Sequence, residues 1–378
     1  MGTATSRGRR RRGATTAALI AMTLVATSGC TLYGIGGGAR GQLGTGFLSD
    51  HAQPVPVARN PGWVAIDAGY DQSCAIDEHA ALYCWGANDH GQVGVGVVGG
   101  TFAVPARVGD ANDWTQVTTN HDHACGIRAG GSLHCWGSNA FAELGDGTLI
   151  DRSVPTQVAG TGWSQVSTGG TFTCGRRAGE LHCWGYGPLG IEDQDLALVP
   201  IRVGDASDWT SVEAGVSHAC GIRAPGSLHC WGRNIEGAVG DGTQVDREVP
   251  TPVGTGTNWM AVSAAEHSCG IRRATGTQAG RLWCWGKNDD GQVGDGTKVD
   301  RLVPVVVGTD ADWRAVSAGW RNTCGIRATW LAYCWRNNFH GQLGVPAGED
   351  IPTPTKLPGD DWGTISTGYT HVLGARNI

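Results

Sequence analysis

The chain has 378 residues, a formal charge of −6, 62 glycines, 16 tryptophans and 13 cysteines. Glycine at more than twice its usual ~7% share, with no collagen period, excludes a fibrous chain, and so many indoles exclude a disordered one. Helical periodicity is nearly absent after residue 30, so the fold class is all-β, and the acidic balance excludes a nucleic-acid partner.

In chain order, residues 1–29 come first. "RGRRRRG" is followed by the apolar run "ALIAMTLVA" and then "TSGC". A basic stretch, a short apolar core and small residues predict a secretory signal peptide. The apolar run is too short to span a membrane. The small residues ahead of Cys30 resemble a lipoprotein processing box, which would place a lipid on Cys30; ordinary cleavage and free secretion is the other expectation. Loss of this segment leaves 23 Lys and Arg against 34 Asp and Glu, a balance near −11.

Residues 31–378 are read as one domain built from a repeat. A Trp followed three residues later by Val or Ile recurs at Trp63, Trp114, Trp163, Trp209, Trp259, Trp313 and Trp362, spaced 46 to 54 residues apart. In the second unit, "WTQVTTN", "HACGIRA", "SLHCWGSN" and "VPTQVAG" read as four short strands, with "GG" a tight turn and "AELGDGT" a loop. Four strands per ~50-residue unit predict a seven-bladed β-propeller of four-stranded blades. The chain stops halfway through its last unit, at "WGTISTGYTHVLGARNI", and starts with the missing half, "TLYGIGGGARGQLGTG" and "PVPVA". The last blade is therefore closed by the N- and C-terminal segments, which removes exposed sheet edges.

Twelve cysteines fall in six pairs: Cys74/Cys84, Cys125/Cys135, Cys174/Cys183, Cys220/Cys230, Cys269/Cys284 and Cys324/Cys334. In the split unit both positions are empty together, with Leu373 on one strand and Gly34 on the other. Cysteines that are present or absent as a pair behave as bonded partners. Positions directly opposite across a hairpin lie about 4.5 Å apart at Cα, within disulfide reach. Six disulfides are predicted, in an oxidising compartment. Free thiols or zinc ligands are the alternative, but spacings of 9 to 15 residues do not match zinc knuckles.

"GANDHGQVG", "GKNDDGQVGDGT" and "NNFHGQLG", each following Cys-Trp, resemble the regulator of chromosome condensation repeat. That resemblance covers residues 31 to 378 and implies seven blades with a split closing blade. It also implies a function, nucleotide exchange on a small GTPase and chromatin binding, for which no residues can be carried over here. Two departures stand out: "YGPLGIEDQDLALV" in unit three, and Arg336 where other units have Gly after Cys-Trp.

Residues that are constant between repeats read as architecture. His123, His218, His267 and His371 recur at one position and are expected to be buried and hydrogen-bonded. Asn88, Asn139, Asn234, Asn288 and Asn338 are expected to hold the following turn. The pairs Asp146 with Asp151, Asp241 with Asp246 and Asp295 with Asp300 are expected to form turns rather than calcium sites. Function is expected where repeats differ on an exposed loop. Four residues before the first cysteine of each unit stand Tyr70, His121, Gly170, Val216, Ala265, Trp320 and Tyr369, followed by Asp71, Asp122 and Arg321 in three of them. Tyr70, Asp71, His121, Asp122, Trp320, Arg321 and Tyr369 are the predicted binding residues, because Trp, Tyr and Arg dominate binding hot spots. The alternative is that the rings fill the mouth of the channel. There is no nucleophile elbow, metal triad or phosphate loop, so neither catalysis nor a cofactor is expected. The reading is an exported monomer that binds a protein or glycan ligand, anchored in the bacterial envelope or secreted. A secreted inhibitor of an extracellular enzyme such as a β-lactamase, and an intracellular exchange-factor-like protein, are the alternatives.

Overall fold

The computed structural model describes residues 30–376 apart from 275, 277 and 278, so the predicted signal peptide lies outside the described residues. Among the described residues all regular structure is strand. The second blade shows the pattern: Trp114–Thr119, His123–Arg128, Ser132–Gly137 and Arg152–Gln157, antiparallel in that order from the axis outward. The second and third strands are buried along nearly their whole length, while the outer strand is partly exposed. The outer strands carry Pro105, Pro155, Pro200, Pro250 and Pro304. Proline cannot donate to a ladder and is tolerated only at such an edge, where it also blocks pairing with other chains. Blades five and six, packed like the other neighbours, also share one ladder pairing, Gly280 with Trp313.

The seventh blade is assembled from both ends of the chain. From the axis outward it runs Trp362–Thr367, His371–Arg376, Thr31–Gly36 and His51–Pro56. Gly34 stands opposite Leu373, the positions held by bonded cysteines elsewhere.

The six predicted disulfides are all present. Cys74 is bonded to Cys84, Cys125 to Cys135, Cys174 to Cys183, Cys220 to Cys230, Cys269 to Cys284 and Cys324 to Cys334, with Cα atoms 4.0 to 4.1 Å apart. Each bond joins residues directly opposed on the second and third strands of its blade. The third-strand partner is also covered from the outer strand: Cys84 stands opposite Ala106, Cys183 opposite Ile201, Cys230 opposite Thr251 and Cys334 opposite Thr355. All twelve bonded cysteines are fully buried. They are therefore staples inside the blades and play no part in a reactive or metal-binding site, which disposes of the free-thiol and zinc alternatives. Cys30, just ahead of Thr31, is 5% exposed and packs among Leu32, Val57 and Trp63.

The core lies between blades, and the repeated motifs are the fasteners. Each Cys-Trp indole donates to a carbonyl in the long loop of the blade before it, as from Trp85 Nε1 to Gln42 O and Trp136 Nε1 to Gln92 O, both at 2.9 Å. In the divergent third blade Pro188 supplies that carbonyl to Trp231, also at 2.9 Å. The second glycine of Gly-Gln-Leu-Gly is required by this contact. A Cβ on Gly44 would come within 2.7 Å of the Trp85 indole, and its φ of +68° is left-handed. The recurrent histidines form a second seam. His123 reaches the Thr173 hydroxyl at 2.9 Å, His218 reaches Ser268 at 2.6 Å, His267 reaches Thr323 at 2.6 Å and His371 reaches Ser73 at 2.8 Å. Burial pushes His123 and His371 down to about 3 and His218 to about 4, so the seam is made of neutral imidazoles. The recurrent asparagines hold their loops: Asn139 Nδ2 donates to Thr148 O and Ile150 O, while its Oδ1 accepts from Leu144 N. Asp146 accepts from Thr148 and Arg152, and Asp151 from the Asn139 backbone, which is turn-forming as expected.

One belt of side chains rings the axial channel: Asp67, Thr118, Ser167, Glu213, Ser263, Ser317 and Ser366. Six of the seven accept a hydrogen bond from the next blade's backbone N–H, at Thr119, Thr168, Ala214, Ala318, Thr367 and Ala68. Glu213 is the exception. Burial pushes its carboxyl up to about 8, with the charge of Asp67 adding to the rise.

Candidate binding site at the channel mouth

The loops joining first and second strands meet around one mouth of the channel. Neighbouring loops are tied by backbone bonds, from Tyr70 N to Asn120 O at 2.5 Å, Tyr369 N to Gly69 O at 3.2 Å and Val216 N to Ala265 O at 2.9 Å. These bonds fix where the variable side chains start. The antiparallel order of each blade puts its long third-to-outer loop on the same rim. Gln92 of that loop reaches Asp122 at 3.4 Å.

The four predicted rings come together in one cluster. Tyr70 and Tyr369 stack, with centroids 4.1 Å apart and planes 11° from parallel. Trp320 meets them edge-on at 5.0 and 6.0 Å. His121 lies 4.9 Å from Tyr70 and 5.6 Å from Trp320. Such offset and edge-to-face contacts suit the quadrupoles of the rings. The indole of Trp320 in blade six donates to Asn120 Oδ1 in blade two at 3.1 Å, and Asn120 donates onward to Thr168 O at 2.9 Å. The cluster therefore bridges the mouth, and all four rings remain partly exposed to solvent.

The charged neighbours tune this tray. Arg321 lies 5.0 Å over the Tyr369 ring. His121 Nδ1 is 2.5 Å from Asp122 Oδ2. That bond raises the His121 pKa against the effect of burial. Burial opposes the charged form of Asp122, but the His121 bond and charge outweigh it and lower its pKa. Burial raises Asp71, and it pushes the Tyr70 phenol up to about 12, with help from Tyr369. Among the described residues, no group of three or more His, Cys, Asp or Glu is arranged to hold a metal ion.

Three residues outside the predicted set complete the site. Asn120 stands where other units have glycine or alanine, which made it visible in the sequence. Arg336 is the second. It is 1% exposed and sits at φ +86°, a conformation its glycine counterparts adopt without strain. Its Nη1 donates to the Trp320 carbonyl at 2.6 Å and its Nη2 to Asp290, the third, at 2.5 Å. Arg336 thus fixes the backbone that carries the largest ring of the tray, which accounts for the departure noted in the sequence.

The regulator of chromosome condensation (RCC1) repeat is found at residues 80–127, 130–175, 225–271 and 279–326, and a second form of it at 63–92, 114–142 and 209–238. The chain is 29% identical over 340 residues to the ultraviolet-B receptor UVR8 of Arabidopsis thaliana, covering 86% of this chain and 76% of that one. It is 26% identical over 364 residues to the mitochondrial RCC1 domain-containing protein RUG3 of the same plant, covering 85% and 81%. The crystal structure of Prp20p from Saccharomyces cerevisiae, described with its binding to Gsp1p and histones, superposes with a TM-score of 0.82 at 18% identity, covering 94% and 93%.

Proposed function

Because the chain belongs to the regulator of chromosome condensation (RCC1) repeat family, we propose that it is a non-catalytic binding platform, exported to the cell envelope or beyond, that takes a protein ligand on its aromatic tray. Family membership and the propeller fold support protein binding or an exchange-factor-like role. The tray supports the finer reading. Its four rings come from blades six, seven, one and two, interrupt the repeat pattern, and keep exposed area where the corresponding positions of blades three to five hold Gly170, Val216 and Ala265. Trp, Tyr and Arg anchors surrounded by polar groups are the composition of a binding hot spot. Export is supported by the six disulfides, which persist in oxidising compartments.

The test uses the oxidised protein as bait for envelope and culture-medium fractions, with bound proteins identified by mass spectrometry. Replacing Trp320→Ala and Tyr369→Ala together is expected to remove the specific partner and leave the melting temperature within about 2 °C of the parent. Retention of the same partner by the double variant, or a fall of many degrees in melting temperature, would reduce the rings to a plug in the channel. Sequencing the mature N-terminus decides between a lipid on Cys30 and a free secreted end.

A further inference from the structure

Charge is segregated between the two rims of the ring. The loops on the tray rim hold twenty Asp and Glu against five Lys and Arg. Arg152, Arg247, Arg301 and Arg336, and the acid Glu248, reach that rim from strand ends and leave a balance of −12. The opposite rim, made of the second-to-third hairpins, the blade-to-blade connections and the strand ends that enter them, holds eleven acidic residues against fourteen basic ones, a balance of +3. Glu143 is buried, and Asp146, Asp241 and Asp295 are largely buried against Arg152, Arg247 and Arg301, but other acids of the tray rim face solvent. The Asp89 and Asp289 side chains are 56% and 59% exposed, and Asp71 and Asp122 border the rings.

Apolar side chains are exposed on the same rim, at the tips of the long loops. Phe47 and Leu48 are 65% and 57% exposed, Val97 and Val98 51% and 63%, and Leu149 and Ile150 55% and 60%. These three loops belong to blades seven, one and two, and the long loops of blades four to six expose Ile235, Val245, Val299 and Phe339 in the same way, so the apolar fringe runs round most of the rim. A surface that is acidic, aromatic and fringed with apolar side chains is complementary to a basic chain with apolar residues among its charges. The carboxylates attract its cations, the π faces accept ammonium and guanidinium groups, and the field of the whole rim steers its approach.

We propose that the tray rim docks a lysine- or arginine-rich segment of a protein partner. This rests on the reading of the tray as a protein-binding surface and names the chemistry of its ligand. The probe is a fluorescent octalysine peptide, with octaglutamate as its opposite, titrated into the oxidised protein at about 50 and 300 mM salt. Octalysine is expected to bind, and at least tenfold more weakly at the higher salt, where screening shortens the reach of the rim's field. Asp71→Asn with Asp122→Asn is expected to weaken it at least fivefold. Asp110→Asn with Asp205→Asn, which removes the same charge from the opposite rim, is expected to change it less than twofold. Equal weakening by both pairs, binding of octaglutamate, or no binding of octalysine overturns the proposal. If the first pair lowers the melting temperature, Asp89→Asn with Asp289→Asn takes its place. Failure of the two readings is distinguishable. A partner captured through Trp320 and Tyr369 that is itself acidic or insensitive to salt overturns the basic ligand and leaves the tray standing. Octalysine binding that needs the carboxylates but survives Trp320→Ala with Tyr369→Ala overturns the tray.

Discussion

Single residues that break a repeated column carry most of the chemistry of this ring. Glu213 replaces a small hydroxyl in the channel belt, and its carboxyl stays protonated up to about pH 8 because burial and the charge of Asp67 oppose ionisation. A folded-state pKa raised above the unfolded value of 4.5 means that stability is lost as pH rises from about 4.5 through 8. Glu213→Gln keeps the shape and cannot ionise. The variant is expected to match the parent in melting temperature at pH 4 and exceed it by a few degrees at pH 9, read by thermal unfolding. The buried histidines act in the other direction. Their pKa values lie below the ordinary 6.5, so the stability their neutral forms lend is lost as pH falls below about 6.5, and the parent is expected to melt progressively lower from pH 6.5 to 4. Arg336 illustrates a different trade. Restoring glycine there relieves a left-handed backbone, worth about 1–2 kcal/mol, and removes bonds from a charged donor, worth about 1.5–3 kcal/mol. Arg336→Gly is therefore expected to melt within a few degrees of the parent while partner affinity falls about tenfold, the equivalent of ~1.4 kcal/mol, because Trp320 loses its support.

At the scale of the blade, the disulfide is a local staple across one hairpin. Closing a loop of about ten residues removes roughly 2.5–3 kcal/mol of unfolded-state freedom in the chain-entropy account. Replacing Cys125→Ala and Cys135→Ala together is expected to cost about that much in denaturant unfolding, with the other five bridges intact. These pairings were legible in the sequence because a hairpin places its partners by spacing alone, even where the separation grows to 15 residues between Cys269 and Cys284. The divergent loop of blade three was legible as a departure, but not the rescue of its fastener by the Pro188 carbonyl, because any backbone carbonyl can take the place of another. The site was legible in part for the same kind of reason. Repeat register assigns Tyr70, His121, Trp320 and Tyr369 to one circle. It does not say that an indole in blade six will cross the mouth to an asparagine 200 positions away, since that depends on which way each side chain turns over an open channel.

At the scale of the molecule, closure explains why the repeat could be read so fully from sequence. Most blades use the same fasteners to the next, the Cys-Trp indole in six of them and the histidine in four, so one unit understood is nearly all of them understood, and the seventh follows from the complementary halves at the two ends. What the repeat hides is polarity, because the sign of each rim emerges only when loops scattered along the chain are sorted by side. That polarity acquires a direction from the pairing of Thr31 with Arg376. The two ends of the folded chain leave the ring side by side, on the basic rim. Anything joined through either end, whether a bead, a fused tag or a lipid leaflet, would sit beneath that rim, and the acidic face with its rings would look out into solution.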